Sequence, residues 1–401
     1  MTEAAADTAL DIARLRAETP GCARVLHFNA AGAALMPQSV LDAVTGHLRR
    51  EAEIGGYEAL DEAAARYEAV YSSIARLLNA GPDEIALIEN ATRAFDMGFH
   101  ALPLRKGDAV LVSMADYASN YMAALRRVRE DGIELRHVPN DAHGQIALAA
   151  LERMLAEPRV RAVSLTWIPT NSGLVQPAAE VGRLARAAGA WYALDATQAA
   201  GHLPIDVRTL GCDLLAATGR KYLRGPRGSG FLFVRRERLH ELHPPFVDLR
   251  AATWTARDTY ILRDDARRFE NWESNVAGLL GLGAAVEYAL ALGVERTWPR
   301  IQALAARLRR GLAAVPGVRV TDPGEELCGI CSFTVAGREP EALKAVLAEM
   351  QPRVNVTTSS RQSTMLDMDA RGLNEVVRAS LHYYNTEREI DRFVAIIADL
   401  A

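Results

Sequence analysis

The 401-residue sequence has few cysteines and no long apolar run. Four cysteines are too few for a disulfide framework, and such sparse use is typical of a reducing compartment, so we expect a cytoplasmic protein. No apolar stretch approaches the ~18 residues that a membrane span requires. The N-terminal segment carries acidic residues and lacks the apolar core of a secretion signal. We therefore expect neither export nor a membrane partner.

The sequence also lacks an excess of positive charge. Lys and Arg total 46 and Asp and Glu total 50, which gives a formal net charge of -4. A general nucleic-acid binder carries a strong basic field, so we expect no nucleic-acid partner. Hydrophobic residues make up 49% and charged residues 24%, the composition of a globular protein with a large core. At roughly 150 residues per domain, the length predicts two or three folding units.

Short apolar runs alternate with longer segments of helical periodicity up to residue 234. Most runs are continuously apolar, which is typical of strands covered on both faces. We predict strands at residues 84–89, 109–113, 134–138, 161–168, 191–195, 213–218 and 230–234. The helices predicted among them span residues 94–101, 118–130, 147–156 and 177–188. This repetition predicts an α/β domain with a parallel or mixed sheet.

The pattern changes after about residue 265. Helices are predicted at 274–292, 298–314 and 387–400, with short strands at 318–321, 331–335, 355–358 and 377–381. This order predicts a smaller α+β domain. We divide the chain into an N-terminal arm (1–25) packing on the small domain, a large domain (26–265) and a small C-terminal domain (266–401).

The segment from Asp195 to Val234 concentrates residues that can carry chemistry. Asp195 ends an apolar strand, at the edge where open α/β sheets bind ligands. Lys221 follows the next strand, with Arg220 before it. A lysine beside an apolar sheet loses its proton more easily than a surface lysine, and Schiff-base chemistry needs a neutral amine. Taken alone, Asp195 is explained as a helix cap, and Arg220 with Lys221 as a solvated basic pair. Their combination at the ends of neighbouring strands indicates a functional site.

Four motifs carry a resemblance that covers nearly the whole chain. They are HFNAAGAALMP (27–37), DATQAAGH (195–202), ATGRKYLRGPRG (217–228) and RASLHYYNTEREIDRF (378–393). With them the chain resembles the class V aminotransferase and cysteine desulfurase-like family of fold-type I pyridoxal-phosphate enzymes. The resemblance implies a large domain with a mostly parallel sheet between helices and a smaller C-terminal α+β domain. It also implies pyridoxal 5'-phosphate (PLP) as cofactor and a homodimer with active sites at the interface.

The resemblance further implies roles for individual residues around the cofactor. Lys221 corresponds to the Schiff-base lysine, which also moves protons at the substrate α-carbon. Asp195 corresponds to the carboxylate that keeps the pyridine nitrogen protonated, and Tyr117 to the ring that stacks on the cofactor. The other cofactor contacts that it implies are Ala91, Thr92, Asn171, Gln198, Thr218, Arg220 and Ser274. Of these, Ser274 would reach the neighbouring subunit's site.

The resemblance assigns the substrate to a second group of residues. Arg378 corresponds to the arginine that binds the substrate carboxylate as a bidentate pair, and Asn29 and His382 are further substrate contacts. Asn120 is a further residue expected to face the site. The residues alone leave plain alternatives open: Thr92 as a helix cap, Tyr117 as a loop aromatic, Arg378 as a surface arginine and His382 as a packing residue. No metal site is predicted.

The chain departs from the cysteine desulfurases at the parts that relay sulfur. Residues 357–371 (TTSSRQSTMLDMDAR) hold serines and threonines where those enzymes carry a cysteine, and serine cannot replace a polarisable thiolate. Tyr117 and Arg220 stand where desulfurases have histidines. We predict a C–S β-lyase acting on a cysteine conjugate, similar to the hercynylcysteine sulfoxide lyases. An aminotransferase and an epimerase of the isopenicillin N epimerase type stay open as alternatives.

Other classes of function fit the sequence less well. A nicotinamide-dependent oxidoreductase needs a G-x-G-x-x-G turn that opens a helix, whereas the glycines of RGPRGSG precede a strand. The pair in CGIC (328–331) resembles a metal or redox motif, but no second pair follows, and buried apolar cysteines explain it better. A non-catalytic scaffold is disfavoured by the joint presence of Asp195, Arg220, Lys221 and Arg378.

Overall fold

The structure is a computed structural model and describes residues 10–401, which form fifteen strands and fourteen helices. The strands are β1 (Leu26–His27), β2 (Ile85–Ile88), β3 (Ala109–Ser113), β4 (Glu134–Val138), β5 (Val160–Thr166), β6 (Trp191–Asp195), β7 (Leu214–Thr218), β8 (Gly230–Val234), β9 (Ala252–Ala256), β10 (Thr259–Leu262), β11 (Val318–Val320), β12 (Ile330–Val335), β13 (Val354–Asn355), β14 (Thr357–Ser360) and β15 (Glu375–Ser380). The helices are α1 (Ile12–Ala17), α2 (Ala30–Ala33), α3 (Gln38–Ile54), α4 (Gly56–Leu78), α5 (Ala91–His100), α6 (Ala118–Asp131), α7 (Leu148–Leu155), α8 (Ala178–Ala187), α9 (Val207–Leu210), α10 (Val276–Leu292), α11 (Val294–Ala313), α12 (Pro340–Ala348), α13 (Met365–Ala370) and α14 (Glu387–Leu400).

A seven-stranded sheet with the order β2-β8-β7-β6-β5-β3-β4 forms the centre of the fold. Strand β8 runs antiparallel to both of its neighbours, and the other pairings are parallel. Both faces of the sheet are covered: in β3, Leu111 belongs to one hydrophobic core, while Val110 and Val112 belong to the other. The predicted mixed α/β fold with a mostly parallel sheet is therefore confirmed.

A second, four-stranded antiparallel sheet with the order β11-β12-β15-β14 lies in the C-terminal part. It packs on α11, α12 and α14 through a third core that contains Leu308, Phe333 and Phe393. A capping box begins α14, because the Thr386 side chain accepts from the Glu389 amide and the Glu389 carboxylate accepts from the Thr386 amide. The strands predicted at 318–321, 331–335 and 377–381 correspond to β11, β12 and β15, with bounds that differ by at most two residues.

The described part of the N-terminal arm packs against this C-terminal region. Arg16 donates to the Tyr384 carbonyl at 2.8 Å and pairs with Glu389 at 2.8 Å, and Leu15 is buried beside Tyr383. Residues 1–9 of the predicted arm lie outside the described residues. The domain boundaries at residues 25 and 265 stay a prediction.

Strands β3, β4, β6 and β8 and helix α14 have the bounds that the sequence predicts. The single strand predicted at 355–358 is wrong, because the chain there forms two short strands, β13 pairing with β1 and β14 pairing with β15. The sequence pattern did not identify α3 and α4. The buried face of α4 includes Ala63, Val70, Ile74 and Leu78 at helical spacing, so the sequence did contain a signal for this helix. The β9–β10 hairpin exposes Trp254, Tyr260 and Ile261, which removes the usual alternation of buried and exposed residues.

Within the described residues, no single helix has the length and apolar composition of a bilayer span. Helices α10 and α11 reach that composition only when taken together, and the chain bends by 82° between them.

Two helical glycines provide a test of the packing, because we expect alanine at one to lower the free energy of unfolding and alanine at the other to raise it. A Cβ at Gly182 in α8 would lie 1.8 Å from the Leu210 carbonyl oxygen, whereas a Cβ at Gly46 in α3 would have no heavy atom within 4 Å. We expect Gly182→Ala to destabilise the chain by about 3 kcal/mol or more through overpacking. Gly46→Ala should stabilise it by about 0.5–1 kcal/mol, because alanine loses less backbone entropy. Urea unfolding of both variants measures this, and a stabilised Gly182→Ala would contradict the α8–α9 packing.

Candidate active site

A cavity of about 180 Å³ opens where β2, β3, β5, β6 and β7 end at the carboxyl edge of the large sheet. This is the edge at which open α/β sheets bind ligands. The residues on its wall are Asn90, Ala91, Thr92, Tyr117, Asn120, Thr166, Ile168, Thr170, Asp195, Thr197, Gln198, Thr218, Arg220 and Lys221. The structure thus brings together nine of the predicted site residues, namely Ala91, Thr92, Tyr117, Asn120, Asp195, Gln198, Thr218, Arg220 and Lys221.

Lys221 is a buried amine in the wall of this cavity. Its side chain makes no hydrogen bond or ion pair with any other residue between 10 and 401. Burial lowers the pKa of the Lys221 ammonium well below its usual value, and the positive charges of Arg220 and Arg378 lower it further against the opposing effect of Asp195. The amine is therefore held ready to lose its proton, as a nucleophile for a carbonyl must be.

Asp195 ends β6 and is buried in the same wall. Its Oδ2 accepts a hydrogen bond from the Asn120 Nδ2 at 2.7 Å, and its Oδ1 accepts one from the Thr197 backbone amide at 2.9 Å. These two donors, one from α6 and one from the loop after β6, fix the plane of the carboxylate. Asn120 faces the site, as expected, although its partner could not be inferred from the sequence.

The first turn of α5 provides a place for an anion. Asn90 caps this helix by accepting from the Arg93 amide at 3.0 Å, so the helix begins at Ala91, three residues earlier than predicted. The amides of Ala91 and Thr92 are therefore in the first helical turn, at the positive end of the helix dipole. Because both residues line the cavity, the helix start can receive a phosphate group.

The side chains of Thr218 and Arg220, which come shortly before Lys221 in the chain, make hydrogen bonds within the protein. Thr218 Oγ1 donates to the Ser229 carbonyl at 3.1 Å, and the Arg220 guanidinium donates to the Gly32 carbonyl. Both side chains line the cavity, so their contact with an anion stays a prediction. Gln198 Nε2 donates to the Ala31 carbonyl at 3.2 Å, while its Oε1 is buried and has no partner in residues 10–401.

The chain turns sharply after Lys221, and Arg224 stabilises that turn. The Arg224 amide donates to the Lys221 carbonyl at 2.9 Å, and Arg224 adopts a left-handed backbone conformation with a φ of 63°. Its guanidinium is fully buried, donates to the Tyr383 hydroxyl at 2.7 Å and lies 4.8 Å from the centre of the Tyr384 ring. The turn that positions Lys221 is thus anchored on the C-terminal residues.

Arg378 lies behind Thr170 rather than on the cavity wall itself. Its Nη1 donates to the Thr170 carbonyl at 2.8 Å and to the Thr170 hydroxyl at 2.5 Å, while its Nε is buried without a partner in the described residues. Burial lowers the pKa of Arg378 to about 10, and the charge of Arg220 contributes to this shift. An unsatisfied, buried guanidinium edge beside the cavity is suited to bind a carboxylate.

Asn171 is not on the cavity wall, and the prediction that it contacts the cofactor is not supported by its placement. Its Nδ2 points to α13 and donates to Asp367 Oδ2 at 2.6 Å. The neighbouring Thr170 lines the cavity instead. Its Oδ1 is buried without a partner in residues 10–401, and a contact of Asn171 with the cofactor stays a prediction.

Three other predicted residues also lie away from the wall. His382 is fully buried, its Nε2 lies 3.1 Å from the Tyr222 carbonyl oxygen, and its ring stacks on Tyr384, so it packs in the interior. Asn29 has a buried Oδ1 without a partner in residues 10–401 and does not reach the wall. Ser274 lines two surface cavities near Trp272, and its reach into a neighbouring subunit stays a prediction.

The cavity wall contains no cysteine. Cys22 is half-buried near the N-terminal arm, and Cys212, Cys328 and Cys331 are buried. Burial raises the pKa of the Cys22 thiol to about 11 and the pKa values of Cys212 and Cys328 to about 12. All four thiols are therefore poor candidates for a sulfur carrier at neutral pH.

Sequence reasoning missed Thr166 and Thr170 as wall residues. Thr166 is the last residue of β5, directly beside Asp195 in the sheet register. The position of strand ends, which identified Asp195, is the signal that would have identified Thr166 as well. Thr170 lies in a loop and has no comparable signal.

The wall combines groups that fit PLP. An amine without a partner can bind an aldehyde, the helix start at Ala91 can bind a phosphate, and the Asp195 carboxylate can pair with a ring nitrogen. The unpaired Gln198 Oε1 shows that a polar partner is missing at the same place.

Comparisons with known proteins agree with this geometry. The family profile described as aminotransferase class-V matches residues 26–393. A probable cysteine desulfurase from Xylella fastidiosa is 32% identical over 412 residues, covering 99% of this chain and 97% of the relative. The apo structure of a cysteine desulfurase from Thermococcus onnurineus superposes with a TM-score of 0.89 at 25% identity, covering 97% of each chain. The cystine C–S lyase C-DES, solved with its product cysteine persulfide, has a TM-score of 0.84 at 26% identity, covering 95% of this chain and 99% of its own.

The depressed basicity of Lys221 can be measured directly, because the chain contains only two other lysines, Lys106 and Lys344. We expect reductive methylation with ¹³C-formaldehyde to give a Lys221 signal that titrates well below the usual pKa of a lysine side chain, about 10.4. Replacing the neighbouring cation by Arg220→Met should move the Lys221 titration upward. A Lys221 signal that titrates at the usual pKa of a lysine side chain would contradict the described environment.

Proposed function

The chain belongs to the aminotransferase class-V family and is a PLP-dependent enzyme, and from this premise we propose that it is a carbon–sulfur β-lyase acting on a cysteine conjugate without a cysteine relay. The sulfur-bearing group would leave the β-carbon of the substrate, and the remaining carbon skeleton would be released as pyruvate and ammonia. The similarity to C-DES, whose structure is described as that of a cystine C–S lyase, supports this reaction class.

The observation that carries the proposal is the absence of a usable thiol around the cavity. The segment that corresponds to the sulfur-carrying loop of the desulfurases contains no cysteine, and in this structure it forms β14 and α13. Asp367 of α13 accepts from Asn171 at 2.6 Å and from Arg371 at 2.7 Å, which fastens the segment to the loop after β5. A segment held in this way supports elimination chemistry rather than a mobile sulfur carrier.

The residues of the cavity can divide the reaction among them. When bound, PLP supplies an electron sink that weakens the bonds of the substrate α-carbon. Lys221 would hold the cofactor and then remove the proton from the α-carbon, a role that its desolvation favours by lowering the pKa of its ammonium group. Asp195 would pair with the ring nitrogen, held by Asn120 and Thr197. The first turn of α5 with Thr92 would bind the phosphate.

Elimination then needs the Cβ–S bond to break with its electron pair going to sulfur. Arg378 would bind the substrate carboxylate through its unpaired edge, which orients the Cα–H bond towards Lys221. Water hydrolyses the released enamine to pyruvate and ammonia, so no external oxidant or amino acceptor is consumed.

We also propose that the enzyme is a homodimer. Large apolar side chains are exposed together on the β9–β10 hairpin and near Ser274, among them Trp254, Tyr260, Ile261 and Trp272. Exposed apolar surface of this extent is typical of an interaction surface. A second copy covering it would bring Ser274 of one subunit towards the site of the other, as the sequence analysis predicts.

Product analysis of the PLP-loaded enzyme tests the reaction class. We expect incubation with L-cystine, S-alkyl-cysteines or cysteine sulfoxides to release pyruvate and ammonia in equal amounts without an added keto acid. Lys221→Ala should abolish this release. Formation of the amine form of the cofactor, reversed by a keto acid, would instead indicate an aminotransferase. Inversion of the amino acid without pyruvate would indicate an epimerase, and sulfide from free cysteine with alanine would indicate a desulfurase.

Arg378 gives a test of substrate binding that does not depend on the reaction. We expect Arg378→Ala to raise KM for α-amino acids by about tenfold or more while kcat falls less, because a charge-assisted bidentate contact to the carboxylate is lost. Cysteamine, which lacks the carboxylate, provides the control, and its inhibition constant should be unchanged. An unaltered KM, or an equal loss for cysteamine, would show that the carboxylate binds elsewhere.

A further inference from the structure

A second carboxyl group, Asp116, is buried behind the wall that carries Asp195. It comes directly before Tyr117, and its side chain is inaccessible between β5 and the start of α6. Thr166 Oγ1 donates to Asp116 Oδ1 at 2.5 Å, and Ser164 Oγ lies 3.4 Å from Asp116 Oδ2. The sequence analysis gave Asp116 no role, and none of the steps described above uses it.

Thr166 connects Asp116 to the site. A threonine hydroxyl has one proton to donate, and here Asp116 accepts it. The Thr166 oxygen is therefore left as an acceptor, and it lies 3.1 Å from the Tyr117 amide and 3.4 Å from the Asn120 Nδ2. Asp116 thereby sets the direction of every hydrogen bond that Thr166 makes.

Asn120 transmits this direction to Asp195. Its amide nitrogen has two protons, and the described contacts place one towards Thr166 and the other towards Asp195 Oδ2 at 2.7 Å. If Thr166 were a donor to Asn120, the amide would gain by turning its oxygen towards Thr166. Because the same Nδ2 contacts both Thr166 and Asp195, that rotation would also turn the amide oxygen towards the Asp195 carboxylate and remove its N–H donor. An acceptor at Thr166 thus favours the orientation that keeps an N–H on Asp195.

We propose that Asp116 is a positioning residue that acts through Thr166 and Asn120 to hold the Asp195 carboxylate and the backbone of Tyr117 in place around the cofactor ring. The inference rests on the proposed PLP-dependent function, since it assigns a purpose to the orientation of Asp195. The hydrogen bonds link β5, β6 and α6, so the geometry of the site depends on the relative positions of these three elements.

The protonation of Asp116 is expected to make the direction of the Asp116–Thr166 hydrogen bond depend on pH. Burial raises the pKa of Asp116 to about 7, and the Asp195 carboxylate adds to the rise, while hydrogen bonds from Thr166 and Ser164 oppose it. The titratable groups that interact with Asp116 in residues 10–401 are Asp195 on β6 and Tyr121 on α6. Above its pKa the carboxylate accepts the Thr166 proton, and below it the carboxyl group can donate to Thr166 and weaken this order.

The experiment uses the PLP-loaded enzyme and compares Asp116→Ala, Asp116→Asn and Thr166→Val with a matched control, Ser113→Ala. Ser113 ends β3, three residues before Asp116, and its buried hydroxyl has no partner in the described residues. Thermal melting first checks the fold of each variant. The readouts are the visible absorption band of the bound cofactor between pH 5.5 and 9, and kcat and KM over the same range.

We expect Asp116→Ala and Thr166→Val each to lower kcat by about tenfold with little change in KM, because one buried hydrogen bond that orders the site is lost. Their double variant should be no worse than either single variant. We expect the unaltered enzyme to show an inflection near pH 7 in its absorption band and in kcat. Asp116→Asn should retain activity, since its amide oxygen still accepts from Thr166, but it should lose this inflection. Ser113→Ala should match the unaltered enzyme.

Equal kcat in Asp116→Ala and the unaltered enzyme, or an inflection near pH 7 that persists in Asp116→Asn, would overturn the inference. If Asp116→Ala does not fold, the comparison of kcat is made with Thr166→Val alone, and a kcat equal to that of the unaltered enzyme would overturn the inference. A failure of the proposed function itself looks different: the unaltered chain would still show its visible absorption band with PLP but would release no pyruvate from cysteine conjugates.

Discussion

The constraint on which the rest of the site depends is a lysine amine buried at the carboxyl edge of the large sheet, with no hydrogen bond or ion pair to any residue between 10 and 401. An ammonium group is costly to bury unless it is paired, and Arg220 and Arg378 add positive charge rather than compensate it. The fold tolerates Lys221 because the amine can be neutral. The same arrangement that would destabilise a charged lysine prepares a nucleophile for an aldehyde.

The surroundings of Lys221 come from distant parts of the chain that the fold holds in register. Asp195 is ordered from α6 through Asn120, Arg378 is ordered from the loop after β5 through Thr170, and the turn after Lys221 is anchored through Arg224. Each contact joins two elements, so the site has little freedom to relax. Preorganisation of this kind is how a protein contributes to the chemistry of a cofactor, because the charges need not rearrange during the reaction.

The sequence predicts the parts of this architecture that strand patterns and strand ends determine. Strands β3, β4, β6 and β8 have the predicted bounds, and Asp195 and Lys221 lie where the ends of β6 and β7 place them. Thr170 and Asn171 show where such reasoning stops, since in a loop neither periodicity nor register tells which of two neighbours faces the cavity. His382 shows a related limit, because the sequence does not distinguish a substrate contact from interior packing, and in the structure its ring stacks on Tyr384. Partners such as the Asn120 side chain on Asp195 depend on tertiary contacts 75 residues apart and have no local signal.

Borohydride reduction of the PLP-loaded chain, followed by peptide mass mapping, tests the central claim most directly. Lys106 is exposed and Lys344 pairs with Glu341 at 3.0 Å, so the two other lysines serve as internal controls. The account predicts that reduction fixes the cofactor to Lys221 alone, with one label per chain. A label on Lys106 or Lys344 instead, or no label at Lys221 in a chain that binds PLP, would contradict it.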